Sequence, residues 1–218
     1  MTKLKIEIGG IQSVKDLKKL IKIGFRLFLF GETHDFVNDL EIQEKILKNI
    51  KPEIYIYELL ENKSISSERE FKNILSNPDS DQFSVISTFG DIKPTIEVAK
   101  KYCKAVIGCD LENLGRKDNS FLSKKELTPE EEKFEEELLL KREKNQGEII
   151  NNTLKKSSGT IFVSVGAYHL RKDSKLLELL DKEFVICFPT LNGIQEFGQT
   201  EEMKKKDVIF VLKLNKYD

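Results

Sequence analysis

Ile161-Phe162-Val163-Ser164-Val165-Gly166-Ala167-Tyr168-His169 and Leu27-Phe28-Leu29-Phe30-Gly31-Glu32-Thr33-His34 are two versions of one pattern: an apolar run, a glycine, and a histidine three residues after that glycine. A short, nearly continuous apolar run of this kind reads as a strand covered on both faces, as in a parallel sheet. The glycine lets the backbone turn sharply where the strand ends, or lets a ligand come close. The histidine then sits in the turn or in the first helical turn beyond it, over the sheet edge. These are the chain's two histidines. Histidine has the unperturbed pKa nearest neutrality and is the usual proton shuttle and metal ligand. One G-x-x-H is a weak signal, but both histidines in the same setting make the chain a candidate enzyme.

Outward from these runs the strand signature recurs between helical patterns. Strands are expected at Lys3–Ile8, Arg26–Phe30, Glu53–Tyr57, Ala105–Cys109, Thr160–Val165, Phe184–Phe188 and Val208–Leu214. Helices are expected from Ser13 through Ile21, stopped near Gly24; from Asp35 to Ile50, ended by Pro52; over Thr95–Tyr102 behind Pro94; and over Ser174–Lys182. The longest opens at Thr128-Pro129-Glu130-Glu131, which supplies an N-cap, a proline at the first helical position and a capping-box glutamate. It can run to Lys156, with Gly147 as a weak point and Gly159 as a stop. Ser76–Gln82 reads as a turn cluster, and Leu114–Leu127 as a surface loop that could overhang a site. Strands alternating with helices predict one α/β domain over residues 1–218, with a mostly parallel central sheet flanked by helices.

The chain of 218 residues is long enough for one substantial core. A net charge of -1 offers no general attraction to nucleic acid or to an anionic membrane. No run approaches the roughly 20 apolar residues needed to cross a bilayer. The first residues alternate like a strand and lack a signal-peptide block. Cys103, Cys109 and Cys187 are odd in number and form no C-x-x-C pair. Reduced, buried thiols in a cytoplasmic protein are the expectation, with none of the three ligating metal.

In open α/β sheets, ligands bind beyond the carboxyl ends of the strands. Four expected strands run into polar groups there: Glu32, His34 and Asp35; Glu58; Asp110 and Glu112; and His169. If those strands are parallel neighbours, the groups converge on one rim, where two imidazoles and a carboxylate can hold a divalent metal or deprotonate a water. Taken singly, each has a structural explanation as a cap or a carbonyl partner. Arg142 adds a separate argument, because it falls inside the apolar arc of the long helix formed by Phe134, Leu138 and Ile149. An arginine there needs a carboxylate or an anionic ligand, with Glu32 or Glu58 as the structural candidates; otherwise its head must reach solvent.

The order of these motifs resembles a superfamily that contains the erythromycin-esterase-like and ChaN-like proteins and the TraB/PrgY/TIKI group. It comprises Gly31–His34, then Tyr57-Glu58-Leu59-Leu60, Ala105–Gly108, Lys141-Arg142-Glu143 and Gly166–Leu170. The resemblance implies an α/β fold whose pocket is lined by Glu32, His34, Glu58, Arg142 and His169. It implies a hydrolase or metal-dependent peptidase, with haem binding described for the ChaN-like branch. Asp35–Asp39 lacks the further histidines often seen there in ChaN-like sequences, which favours a divalent metal ion on His34, Glu58 and His169 over haem. The chain is also short for an erythromycin esterase.

The expected function is hydrolysis of an ester or amide bond in a small-molecule or peptide substrate. His34 or His169 would activate water directly or through a metal ion, with Arg142 steadying the oxyanion or a substrate carboxylate. The alternatives are a non-catalytic binder of haem or metal, and an interaction module on the same scaffold.

Overall fold

The computed structural model describes residues 14–32, 37–76, 92–116, 124, 126–171, 173–181, 183–190 and 210–215. The apolar runs become strands because both of their faces find cover. β1 (Leu27–Glu32), β2 (Ile54–Tyr57), β3 (Ser64–Ile65), β4 (Ala105–Gly108), β5 (Ile161–Gly166), β6 (Phe184–Thr190) and β7 (Phe210–Asn215) form one seven-stranded sheet in the order β3-β4-β2-β5-β1-β6-β7. Every pairing is parallel except β3 on β4.

Alternate side chains enter two cores. Phe28, Phe30, Tyr55, Tyr57 and Phe162 pack with residues of α1 (Val14–Lys22), α2 (Val37–Ile50), α3 (Glu68–Ser76) and α4 (Lys93–Tyr102). Leu27, Leu29, Ile56, Ile161 and Val163 pack with residues of α5 (Pro129–Lys156) and α6 (Lys175–Leu179). Burying each of these large side chains contributes about 1.5–3 kcal/mol. The chain thus adopts the α/β architecture and mostly parallel sheet expected of its sequence. Lys3–Ile8, Asp35 and residues 77–82 of the turn cluster lie outside the described residues.

Two elements were not anticipated. β3 has two residues and shows no period. α3 had a readable start: Glu70 N donates to Ser67 Oγ at 3.2 Å, and Ser67 N donates to a Glu70 carboxylate oxygen at 2.8 Å, a reciprocal capping box. The expected box on α5 forms between Thr128 and Glu131.

Three expectations about α5 and its surroundings need correction. Gly147 is no weak point, because the helix is continuous through it; a Cβ there would come within 3.1 Å of Leu179 Cβ, so the missing side chain lets α6 pack close. Phe134 is not on a buried arc but 53% exposed. The 28-residue helix is ~42 Å long, whereas the six-residue β5 spans ~20 Å. The first turns of α5 therefore rise past the sheet, and its buried residues begin at Leu138. The expected 114–127 surface loop starts on a buried residue, Leu114, in a tight turn over Glu112–Gly115 with Asn113 and Leu114 left-handed at φ 52°; residues 117–123 and 125 lie outside the described residues.

Among the described residues no helix is long and apolar enough to cross a membrane. Cys103, Cys109 and Cys187 are free. Burial pushes all three thiols up, Cys103 to about 12, which favours the protonated thiol at neutral pH.

Candidate functional site at the carboxyl rim of the sheet

β4, β2, β5 and β1 are consecutive in the sheet and point the same way, so the residues that follow them meet on one rim. A close backbone approach sets the geometry there. A Cβ on Gly108 would lie 2.0 Å from the Glu61 carbonyl oxygen, which therefore requires glycine at the end of β4. Asp110 N donates to that same carbonyl at 3.1 Å. The turn after β2, which begins with Glu58, is thereby pressed against the segment after β4 that carries Asp110.

Glu58 is buried and accepts on both oxygens. Oε1 lies 2.7 Å from Arg142 Nη2 and 3.2 Å from His169 Nε2, and Oε2 accepts the Gly166 N–H. The last contact comes from the second G-x-x-H glycine, so the motif supplies a backbone donor as well as the histidine. Arg142 also grips Asp110 side-on, through Nε at 3.1 and 3.0 Å and Nη2 at 2.7 Å. Its side chain is only 11% exposed, and the two carboxylates raise its pKa against the opposing effect of burial. The inward-pointing arginine expected from the sequence is present, with Asp110 as a second partner besides Glu58. Gln146 Nε2 adds a hydrogen bond to Asp110 at 3.1 Å.

His169 sits in the 3₁₀ turn after β5, 5% exposed, with Nδ1 3.3 Å from Glu143 Oε1. Burial alone would lower its pKa, but the Glu58 charge and the hydrogen bonds to Glu143 and Glu58 outweigh that and push it up to about 9. The ring is therefore an imidazolium at neutral pH. Glu32 closes β1 in a buried position and accepts from Ser164 Oγ and from Gln43 Nε2 at 3.1 Å. Gln43 Oε1 in turn accepts from Tyr55 O–H at 2.7 Å. His34 lies outside the described residues.

The structure thus joins Glu58, Arg142 and His169 directly, and adds Asp110 and Glu143. Asp110 was visible as a strand-end acid. Glu143 gave no such signal, being one glutamate among many in an acidic helix. Glu58, Asp110 and His169 each offer a ligand atom, and these atoms lie within 4.8 Å of one another.

The TraB/PrgY/gumN family model matches residues 61–184, more than half of the chain. That span includes Asp110, Arg142, Glu143 and His169. No curated protein matches in sequence. Among solved structures, the type III effector HopBA1 aligns at TM-score 0.56 and 15% identity, covering 98% of this chain and 99% of that one, a likeness of fold alone. ChaN of Campylobacter jejuni, described for cofacial haem binding, aligns at TM-score 0.43 and 13% identity, covering 82% of this chain and 87% of that one. RRSP, a MARTX toxin effector domain from Vibrio vulnificus CMCP6, aligns at TM-score 0.49 and 14% identity, over 90% of this chain and 41% of that one.

Proposed function

The chain belongs to the TraB/PrgY/gumN family, and we propose that it is a hydrolase of ester or amide bonds working at the Glu58–His169 rim. The observation that carries this reading is the shared Glu58 Oε1, contacted at once by Arg142 and by His169. A buried imidazolium held this way is a proton donor in waiting, suited to protonating a leaving group. His169 is therefore assigned the acid role, leaving His34 and Glu32 as the candidates for activating water. Arg142 has Nε and Nη2 committed to Asp110 and Glu58. Its role is then to hold two carboxylates side by side rather than to meet the substrate.

The donor set of Glu58, Asp110 and His169 fits a divalent ion such as Mn²⁺ or Zn²⁺. Bound there, such an ion would polarise a carbonyl and acidify water. It would compete with Arg142 for the carboxylates and with the proton on His169. Haem, a large planar group, does not fit at His169, because the ring is buried between Glu58 and Glu143.

A second reading has its own observation. Glu58, Asp110 and Glu143 are faced by Arg142, His169 and Arg171, with Arg171 also reaching Asp173, a pairing of charges that a purely structural network would have. In that case the protein is an interaction module.

A panel of activated esters and short peptides, assayed with and without Mn²⁺, Zn²⁺ and Co²⁺, separates the two. The hydrolase reading expects turnover that falls at least ~100-fold in Glu58→Gln while the folded circular-dichroism spectrum is kept. Absence of turnover under every metal condition, with no metal bound by the parent protein, would favour the interaction module.

A further inference from the structure

Glu143 is wholly buried, and it lies on the opposite side of the His169 ring from Glu58. It follows Arg142 in α5, and successive helical side chains diverge by about 100°. Arg142 thus reaches Asp110 and Glu58, while Glu143 reaches the segment after β5. There it is gripped firmly. Arg171 donates to both of its oxygens, through Nη1 to Oε1 and through Nη2 to Oε2 at 3.2 Å, and Lys175 N donates to Oε2 at 2.8 Å. Three fixed donors leave the carboxylate little freedom to turn away from the ring.

An imidazole held only through Nε2 can rotate or flip about its χ2 bond, which exchanges each ring nitrogen with a ring carbon and turns Nε2 away from its partner. A second, immobile acceptor at Nδ1 removes that freedom. We propose that Glu143 is the positioning residue of His169: it takes the Nδ1–H, fixes the ring plane, and leaves Nε2 as the nitrogen presented to Glu58. The proposal rests on His169 belonging to a working site, as in the hydrolase reading. The competing account is that Glu143 only staples α5 to the 171–175 segment through Arg171 and the Lys175 N–H, its contact with the ring being incidental.

The two accounts separate in a spectrum that needs no substrate. With two histidines in the chain, protein ¹⁵N-labelled in histidine gives two sets of ring signals, and His169→Gln identifies the set belonging to His169. In the parent protein we expect a hydrogen-bonded, exchange-protected Nδ1–H on His169. In Glu143→Gln that proton should exchange at least ~10-fold faster, and any metal affinity or turnover of the parent should fall about 10–100-fold, the usual range for loss of a carboxylate behind a functional histidine. Arg171→Gln breaks the staple but leaves the ring's acceptor, so it should lower the unfolding midpoint and keep the protected Nδ1–H.

An unprotected Nδ1–H in the parent overturns the proposal without any variant, should Glu143→Gln fail to fold. So does an Nδ1–H unchanged in Glu143→Gln, or equal effects of the two variants on ring and midpoint. Because the ring signal is read in resting protein, a lack of hydrolysis would count against the hydrolase reading and leave the Glu143 result standing.

Discussion

Arg142→Ala should cost about 3–5 kcal/mol of folding stability, the usual range for breaking a buried ion pair by removing one partner. Arg142 bridges two carboxylates that are 2% and 0% exposed, so its loss leaves two adjacent buried anions, one still facing His169 and the other Gln146. Like charges forced together in a poorly hydrated rim repel, and protonating one of them would remove the anion that charges His169. Turnover, if present, should fall with stability. Arg142→Lys keeps the charge but has one compact head where the guanidinium grips Asp110 through Nε and Nη2 and reaches Glu58 through Nη2, so it should recover part of the stability and little of the geometry. Urea unfolding monitored by circular dichroism measures both. A loss below ~1 kcal/mol for Arg142→Ala would place the guanidinium among surface arginines and dissolve the argument for a built rim.

The second large effect is a fall in stability as the solution turns alkaline. His169 has its pKa raised to about 9 in the folded protein, against about 6.5 for an ordinary histidine. A raised pKa means that the folded state binds the proton more tightly. The resulting stabilisation is complete below about pH 6.5 and is lost progressively as pH rises through 9. A shift of that size corresponds to roughly 3 kcal/mol.

Glu143 acts with the opposite sign. Burial raises its pKa, but the hydrogen bonds from His169, Arg171 and Lys175 and the Arg171 charge prevail and lower it. Its contribution is present above the ordinary carboxylate range and is lost as pH falls through its lowered value. The expected profile is a plateau from slightly acid to neutral pH with a decline toward pH 9–10. In His169→Gln the alkaline decline should flatten. Equal slopes in the parent and the variant between pH 7 and 10 would mean that the imidazolium is not held as described.

What could be read in the sequence, and what could not, divides along physical lines. Runs such as Leu27–Phe30 and Ile161–Val165 announce themselves because a strand buried on both faces must be apolar throughout, and the glycine that follows each marks its end. That placed Glu58, Asp110 and His169 on a common rim before their distances were known. Asp110 is ambiguous in the sequence because an acid after a strand is also an ordinary cap, and only the fold brings Arg142 to it from 32 residues away. Arg142 was identified from an arc that included Phe134. The arc lost Phe134 but kept the buried Leu138 and the half-buried Ile149, and the rim carboxylates supply the partners that the arginine needs there. Glu143 was illegible: no local pattern separates a glutamate that orients a histidine from its solvated neighbours on the same helix. The capping box of α3 was legible and was overlooked.

The overshoot of α5 has a consequence for how the domain opens. Its second half is locked into a core with β1, β5 and β6 and can exchange its amide hydrogens only when much of the domain comes apart. Its first turns are tied down by the Thr128–Glu131 box, an exposed Lys124–Glu131 pair and the better-buried Arg116–Glu135 pair. A single unbroken helix therefore spans two regimes of local opening, with the boundary near Leu138, one turn before Arg142. Residues on the outer turns can breathe on their own without disturbing the arginine that holds the rim. In deuterium exchange, amides from about Lys133 to Glu137 should fill early, and those beyond Glu143 should fill with the slowest in the protein.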